Sequence, residues 1–429
     1  MKKPNVVILV IDTLREDHSQ GLERLRDLGF IKYENAIAPA PWTLPSHVSI
    51  LTGLYPSQHG IHEGFKVSDD DLMSRSSSVM RVLRHGIIGE LEEYGYETYI
   101  ISANPNVSEY FGFRARYNLL VPGRFYSLSH LRLYHMWVRE YGRNSVKMAV
   151  DLIKNVKLND VLLSLVYLLR FYLEVFVHRL GLLDLTMEKG SGLIKKVLAN
   201  MNLSEPFFML INIMEAHSPY LPSDLRDRIY SKVVADSILG RGVDNDLINE
   251  LKYRYGLHAN YAINKAIDII RTLSRYLDNT LIIVTSDHGE LLGDGGLGHG
   301  YFLKDGLLKV PLWVKWPSWF KVPRQVKPFI SLTEVPSMVR AVVNGDEDYE
   351  VGTDIALAES FGLAPYHNIN HDSLDPNSLT KFFSHRIRIY TSKCVLTYNK
   401  SQDALEETNC EESMARKIID TVKPMLNTE

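Results

Sequence analysis

Asn5 to Ile11 (NVVILVI) is an unbroken apolar run rich in β-branched residues. Such a run suits a parallel strand covered on both faces, because alternation disappears when neither face meets water. Thr98–Ala103 (TYIISA), Pro206–Ile213 (PFFMLINI), Leu281–Thr285 (LIIVT) and Val310–Val314 (VPLWV) read the same way, and a short strand opens at Phe329. Between them the apolar period becomes helical. Gly21–Leu28, Ser46–Leu54, Ser78–Tyr94 and Tyr261–Tyr276 are the predicted helices. Gly29, Gly53 and Pro56 stand where helices should stop. Helices between apolar strands indicate an α/β fold, a doubly wound and mostly parallel sheet flanked by helices.

Residues 121–199 break this alternation and read as a helical insertion. The α/β domain is therefore expected in two pieces, 1–120 and 200–345, with a small C-terminal α+β part over 346–429. In that tail Arg386–Tyr398 alternates like an antiparallel hairpin, and Ala415–Met425 reads as a last helix.

Composition narrows the class. The chain has 429 residues, 45% hydrophobic and 23% charged, which excludes a disordered, collagenous or coiled-coil protein. A formal net charge of −3 gives no field for nucleic acid, so no nucleic-acid partner is expected. Cys394 and Cys410 are too few for a four-thiolate zinc site or a disulfide framework. Reduced thiols in a cytoplasmic protein are the simpler expectation. The apolar run Val6–Ile11 is cut by Asp12 and is too short for a secretory signal. From Arg124 to Lys157 seven basic residues face two acidic ones, and the apolar stretch Val161–Leu185 follows. That pattern over 124–185 suits peripheral contact with an anionic inner membrane surface, or a lid or dimer helix packed on protein. The oligomeric state is left open.

The polar residues fall in a pattern. Asp12, Asn104, the pair Glu215 and His217, and the pair Asp287 and His288 each follow a predicted strand. Open α/β sheets bind ligands at that edge. Any one of these residues could be a strand exit or a helix cap. Their convergence points to an active site. Two carboxylates with an imidazole favour Mn²⁺ or Zn²⁺, whereas an oxygen-only set would suit Ca²⁺ or Mg²⁺. Thr43 stands before a proline at a helix start, where a hydroxyl is either a cap or a nucleophile favoured by the helix dipole. His299 lies in a glycine-rich loop that lets backbone approach a ligand, while His59 and His62 read as structural.

Five stretches, in order, resemble the sulfatase branch of the alkaline phosphatase superfamily. They are Pro4–Arg15 (PNVVILVIDTLR), Ala40–Gly60 (APWTLPSHVSILTGLYPSQHG), Met214–Tyr220 (MEAHSPY), Thr285–Glu290 (TSDHGE) and Gly298–Pro311 (GHGYFLKDGLLKVP). The resemblance implies a nucleophile at Thr43 and metal ligands at Asp12, Thr43, Asp287 and His288. It implies that His217 and His299 bind a second metal, hold the anionic ester or protonate its leaving group. His47, Asn104 and Glu215 are implied as substrate-binding positions, Glu215 also as a further ligand.

Departures from the family pattern shape the expected chemistry. Sulfatases look like Cys/Ser-x-Pro-x-Arg, with the first residue converted to formylglycine; here Thr43-Leu44-Pro45-Ser46-His47 stands in its place. Thr43 cannot take that route. Thr13 replaces a second acid, and no Lys-x-His is found near Asn104-Pro105-Asn106. A threonine nucleophile looks like phosphodiesterases and phosphotransferases, so the expected activity is hydrolysis or transfer of phosphate esters, the substrate being lipid- or glycan-linked. The alternatives are a sulfate-ester hydrolase without formylglycine and a metal- or glycan-binding pseudoenzyme.

Overall fold

The computed structural model describes residues 3–121, 186–220, 229–367 and 375–426, together with Phe176 and Ile369. The strands, in chain order, begin with β1 (Asn5–Ile11), β2 (Ile31–Ile37), β3 (Glu97–Ser102), β4 (Tyr117–Leu120), β5 (Phe207–Ile213) and β6 (Thr280–Thr285). They continue with β7 (Leu291–Leu292), β8 (Leu297–Gly298), β9 (Lys309–Lys315) and β10 (Ile330–Ser331). The last four are β11 (Ile355–Ser360), β12 (Arg386–Thr391), β13 (Val395–Asn399) and β14 (Ala404–Thr408).

Eight strands form one sheet in the order β10-β2-β9-β6-β1-β5-β3-β4. β1 lies at its centre, parallel to β5 (Val6 opposite Phe208) and to β6 (Val6 opposite Leu281). Only β9 runs antiparallel to its neighbours, β2 and β6. The fold expected from the apolar runs is the fold found. Both faces of β1 are buried. Val7, Leu9 and Ile11 pack with Tyr255 and Ile263 of the helix Asn245–Thr272. Val6, Ile8 and Val10 pack with Val48 and Ile50 of the helix Thr43–Thr52 and with Val339 of the helix Val335–Asn344. Truncating one such buried aliphatic to alanine typically costs about 2–5 kcal/mol.

Several elements differ from expectation for local reasons. β2 was not predicted because its register shifts between Tyr33 and Ala36, with Asn35 at φ 55°, which scrambles the alternation. The helix expected over Ser78–Tyr94 is two helices, Asp69–Val82 and Ile87–Glu93. Arg84, His85 and Gly86 between them all have positive φ, and a Cβ on Gly86 would lie 2.3 Å from the Leu51 carbonyl oxygen. The helix at Tyr261 starts earlier, at Asn245. Its first residues, Asn245–Glu250, are mostly exposed and pack only the half-buried Leu247 and Ile248 against the core, so they add little to the apolar period.

β11 to β14 form a separate antiparallel sheet, and the helix Glu412–Val422 covers it with Ala415, Ile419 and Val422. Within it Cys394 and Cys410 are joined as a disulfide, with Cα atoms 5.6 Å apart. The expectation of two reduced thiols does not hold: pairing of β13 with β14 brings the two positions to a separation that suits the bond. Among the described residues no helix is long and apolar enough to cross a membrane. The basic stretch 124–157, the apolar stretch Val161–Leu185 and most of the predicted insertion lie outside the described residues.

Candidate metal centre and active site

β1, β3, β5 and β6 deliver their polar residues to one edge of the sheet. Asp12, immediately after β1, is fully buried, and its backbone N–H donates to the Ile213 carbonyl at the end of β5. Its Oδ2 accepts from Asn104 Nδ2 at 2.7 Å and from Asn212 Nδ2 at 3.3 Å. Its Oδ1 has no partner. Asp287, after β6, repeats the pattern. Oδ1 accepts from the backbone N–H groups of Thr13 (3.3 Å) and His288 (3.0 Å), and Oδ2 accepts no hydrogen bond among the described residues, with His47 Nδ1 and His288 Nε2 each 3.4 Å away. His288 donates Nδ1–H to the Gly289 carbonyl at 2.8 Å, which leaves the Nε2 lone pair free. Nε2 lies 3.9 Å from Asp12 Oδ1 and 3.4 Å from Asp287 Oδ2.

Two carboxylate oxygens that accept no hydrogen bond among the described residues and one imidazole nitrogen thus face one point inside the protein. Buried oxygens without partners are costly, and a divalent cation satisfies all three atoms at once. Among the described residues Asp12, Asp287 and His288 are the set with ligand atoms within 4.8 Å of one another. The titration of the pair tells the same story. Burial pushes Asp12 up, but His217, His288, His47 and the Asn104 hydrogen bond outweigh it and hold Asp12 below the ordinary carboxylate range. Burial and the charge on Asp12 push Asp287 well above that range. Without a cation the two carboxyls cannot both ionise. Thr13, where the family pattern has a second acid, sits at φ 63°, a strained conformation for a β-branched residue. Its carbonyl accepts from Tyr255 and its N–H binds Asp287, which together hold the bend.

Thr43 opens the buried helix Thr43–Thr52. The helix starts three residues before the predicted Ser46, so Thr43 belongs to its first turn. Thr43 Oγ1 lies 3.3 Å from His288 Nε2 and 3.5 Å from Asn104 Nδ2. Ser46 Oγ donates to the Asp287 carbonyl at 2.6 Å and pins this helix to the β6 exit. The structure therefore brings Asp12, Thr43, Asn104, Asp287 and His288 together.

His47 packs against the cluster, with Nδ1 3.4 Å from Asp287 Oδ2. It is fully buried, with Nδ1 3.0 Å from the Thr43 carbonyl and Nε2 3.2 Å from Asn212 Nδ2. Burial lowers its pKa, so the ring is neutral and braces the turn beneath Thr43. Glu215 is also used elsewhere. Its Oε1 accepts the backbone N–H groups of Lys189 (2.9 Å) and Ser191 (2.8 Å) at the start of the helix Ser191–Asn200. It is a helix-capping acid, and the structure does not bring it into the cluster. His59 and His62 bond locally: His59 to Ser49 Oγ and the Ile61 N–H, His62 Nδ1 to the Glu63 carbonyl.

His217 and His299 stand side by side, ring centroids 5.0 Å apart, and His299 is 4.8 Å from His288. His299 Nδ1 lies 3.0 Å from both oxygens of buried Glu290, whose Oε2 also accepts from Tyr220 OH at 2.9 Å. Burial pushes His299 down, but the Glu290 carboxylate outweighs it and raises the pKa. His217 has no such carboxylate, and burial lowers it. The two neighbouring imidazoles are thus shifted in opposite directions, His299 up and His217 down. Asn212, Glu290 and Tyr220 were missed as working residues. Asn212 could have been suspected as the lone amide in an apolar strand, and Glu290 from its place two residues after His288.

The chain is similar to known proteins over most of its length. The family model described as Sulfatase matches residues 4–342. Arylsulfatase of Clostridium perfringens is 22% identical over a 397-residue alignment covering 80% of this chain and 74% of that protein. Among solved structures, phosphonate monoester hydrolase from Silicibacter pomeroyi superposes with a TM-score of 0.61 at 16% identity, over 99% of this chain and 94% of the other. A 2-O GAG sulfatase superposes with a TM-score of 0.59 at 11% identity, over 99% of this chain and 91% of the other. At these identities the structural likeness establishes the fold.

Proposed function

We propose that this chain, which belongs to the sulfatase family, is a metal-dependent hydrolase of phosphate esters with Thr43 as nucleophile. The observation that carries the reading is the position of Thr43 Oγ1. It sits in the first turn of a buried helix, 3.3 Å from His288 Nε2, beside Asp12 and Asp287 oxygens that accept no hydrogen bond among the described residues. Asp12, Asp287 and His288 would hold the cation, and the imidazole favours Mn²⁺ or Zn²⁺ over Ca²⁺ or Mg²⁺. When bound, such an ion lowers the pKa of a nearby hydroxyl and neutralises charge on the reacting oxygens.

The chain's own groups supply the rest. A threonine bears a methyl on Cβ and cannot yield an aldehyde, so its own oxygen must attack phosphorus, the hydroxyl proton passing to solvent as the ester bond to the leaving oxygen breaks. Asn104 Nδ2, tied to Asp12 and 3.5 Å from Thr43 Oγ1, fixes that hydroxyl against the cluster. The free N–H groups of the first helical turn favour the incoming anion. His299, kept protonated by Glu290, gives its Nε2 proton to the departing ester oxygen. Neutral His217 beside it then activates the water that cleaves the Thr43 ester.

Sulfate esters are the second reading, favoured by the arylsulfatase relative. Elemental analysis of protein purified without added metal, with turnover of a bis-aryl phosphate and an aryl sulfate, tests both. Stoichiometric Mn or Zn with phosphodiester turnover that Thr43→Ala abolishes is the expected result. Turnover of the sulfate alone, or full activity in Thr43→Ala, overturns the phosphate reading or the nucleophile respectively.

A further inference from the structure

Tyr366 reaches the site from the C-terminal side of the chain. It lies in the turn that follows β11, and that turn is stapled to the catalytic loop. Ala364 N–H donates to the Gly300 carbonyl at 2.9 Å, and His367 Nε2 lies 2.8 Å from the His299 carbonyl. Gly300 N–H in turn donates to the Pro41 carbonyl, two residues before Thr43. The Tyr366 ring stands 5.5 Å from the His299 ring and edge-on to Trp42 at 5.9 Å, centroid to centroid. Its hydroxyl comes so close to Gly300 (φ 85°) that a Cβ there would lie 2.1 Å from the oxygen. Glycine is therefore required to let this phenol in.

Tyr33, Tyr220, Tyr255 and Tyr390 each donate to a protein oxygen. Among the described residues Tyr366 OH has no hydrogen-bond partner, and the residue stays 38% exposed beside the group placed to protonate the leaving oxygen. A phenol fixed beside the site with its hydroxyl uncommitted to protein groups is a polar handle that a ligand can take up.

We propose that Tyr366 determines specificity on the leaving-group side: its hydroxyl binds an oxygen substituent next to the scissile ester oxygen, and its ring flanks the organic group. The favoured substrates are then esters of vicinal diols, such as glycerol, sugars or catechols, over esters of simple alcohols or phenols. The inference rests on the ester-hydrolase reading above. Burial first, and then the nearby Glu290, Glu63 and Asp12 carboxylates, push the phenol well above its ordinary range, so it is a donor.

A matched pair of chromogenic esters tests it. The 4-nitrophenyl and 2-hydroxy-4-nitrophenyl (4-nitrocatechol) esters, as phosphates and as sulfates, both keep the nitro group para to the ester oxygen and differ by a hydroxyl beside it. With metal-loaded wild type, kcat/KM should favour the catechol ester. Tyr366→Phe keeps the ring and should cut that preference about tenfold, the worth of one hydrogen bond, through KM. A preference ratio unchanged in Tyr366→Phe, whatever the absolute rates, overturns the inference while the hydrolase reading stands. Metal-loaded wild type that turns over neither ester overturns the hydrolase reading and this inference with it.

Discussion

Both carboxylate oxygens of Glu290 lie 3.0 Å from Nδ1 of His299, and the pair is buried. His299, and to a lesser degree His217 and His288, hold Glu290 below its usual range against the upward push of burial. A general acid works only while protonated, so kcat/KM should fall as pH rises through the raised pKa of His299. Glu290→Gln removes the stabilising charge and leaves burial to push His299 down. The alkaline limb should then move to lower pH by about 1–3 units, the usual worth of an adjacent charge. A pH–rate profile of the two proteins decides it; an unmoved limb would remove His299 from the acid role.

Asp12 depends on two amides. Asn104 and Asn212 occupy Oδ2 and so turn Oδ1 toward His288. Asn212→Ala should weaken metal binding about 10–100-fold, the ordinary cost of losing a group that orients a ligand. Asp287→Asn removes a charged ligand and should abolish stoichiometric binding. Isothermal titration of metal-stripped protein gives both numbers. Wild-type affinity in Asp287→Asn would show that the cation sits elsewhere.

What was legible in the sequence follows from which forces are local. β1, β5 and β6 announced themselves because burial on both faces leaves an apolar run, and residues just past their ends fall at the ligand-binding edge by topology. Asp12, Asp287 and His288 could therefore be placed from the chain alone. Orientation could not. Whether His47 points at substrate or braces the Thr43 turn depends on Asn212, 165 positions away along the chain. Glu215 follows a strand as His217 does, yet backbone donors of Lys189 and Ser191 claim it. Tyr366 belongs to a segment with no helical or strand period to mark it.

Trp42 Nε1 donates to Glu63 Oε2 at 2.6 Å, while Glu63 Oε1 accepts from the Phe361 N–H at 2.7 Å and from Ser360 Oγ at 3.1 Å. Glu63 thus ties the residue before Thr43 to the end of β11. Removing one donor leaves a buried carboxylate oxygen short of a partner, at a cost of about 1–3 kcal/mol. Trp42→Phe should accordingly lower the unfolding free energy by that amount and reduce kcat, with metal content unchanged. Chemical denaturation and steady-state kinetics check the two halves separately. Loss of metal together with kcat would mean that the ligands had shifted, against the clamp.

His59 is buried between Ser49 Oγ, 3.2 Å from Nε2, and the Ile61 N–H, which donates to Nδ1 at 3.0 Å. A ring that accepts at Nδ1 is neutral, and burial together with the nearby His62 pushes its pKa down to about 3. The unfolded chain takes up the proton near pH 6.5, so between these values the unfolded state binds more protons than the folded one. The sign follows: the stabilisation is whole above pH 6.5 and is lost as pH falls toward 3. Going from pH 7.5 to 5 this residue alone should cost about 2 kcal/mol of unfolding free energy. His59→Gln carries no titrating group, so urea denaturation at the two pH values should show wild type losing about 2 kcal/mol more than the variant. Equal losses would mean that His59 titrates alike in both states, and that the packing of the helix Thr43–Thr52 against His59 does not exclude the proton.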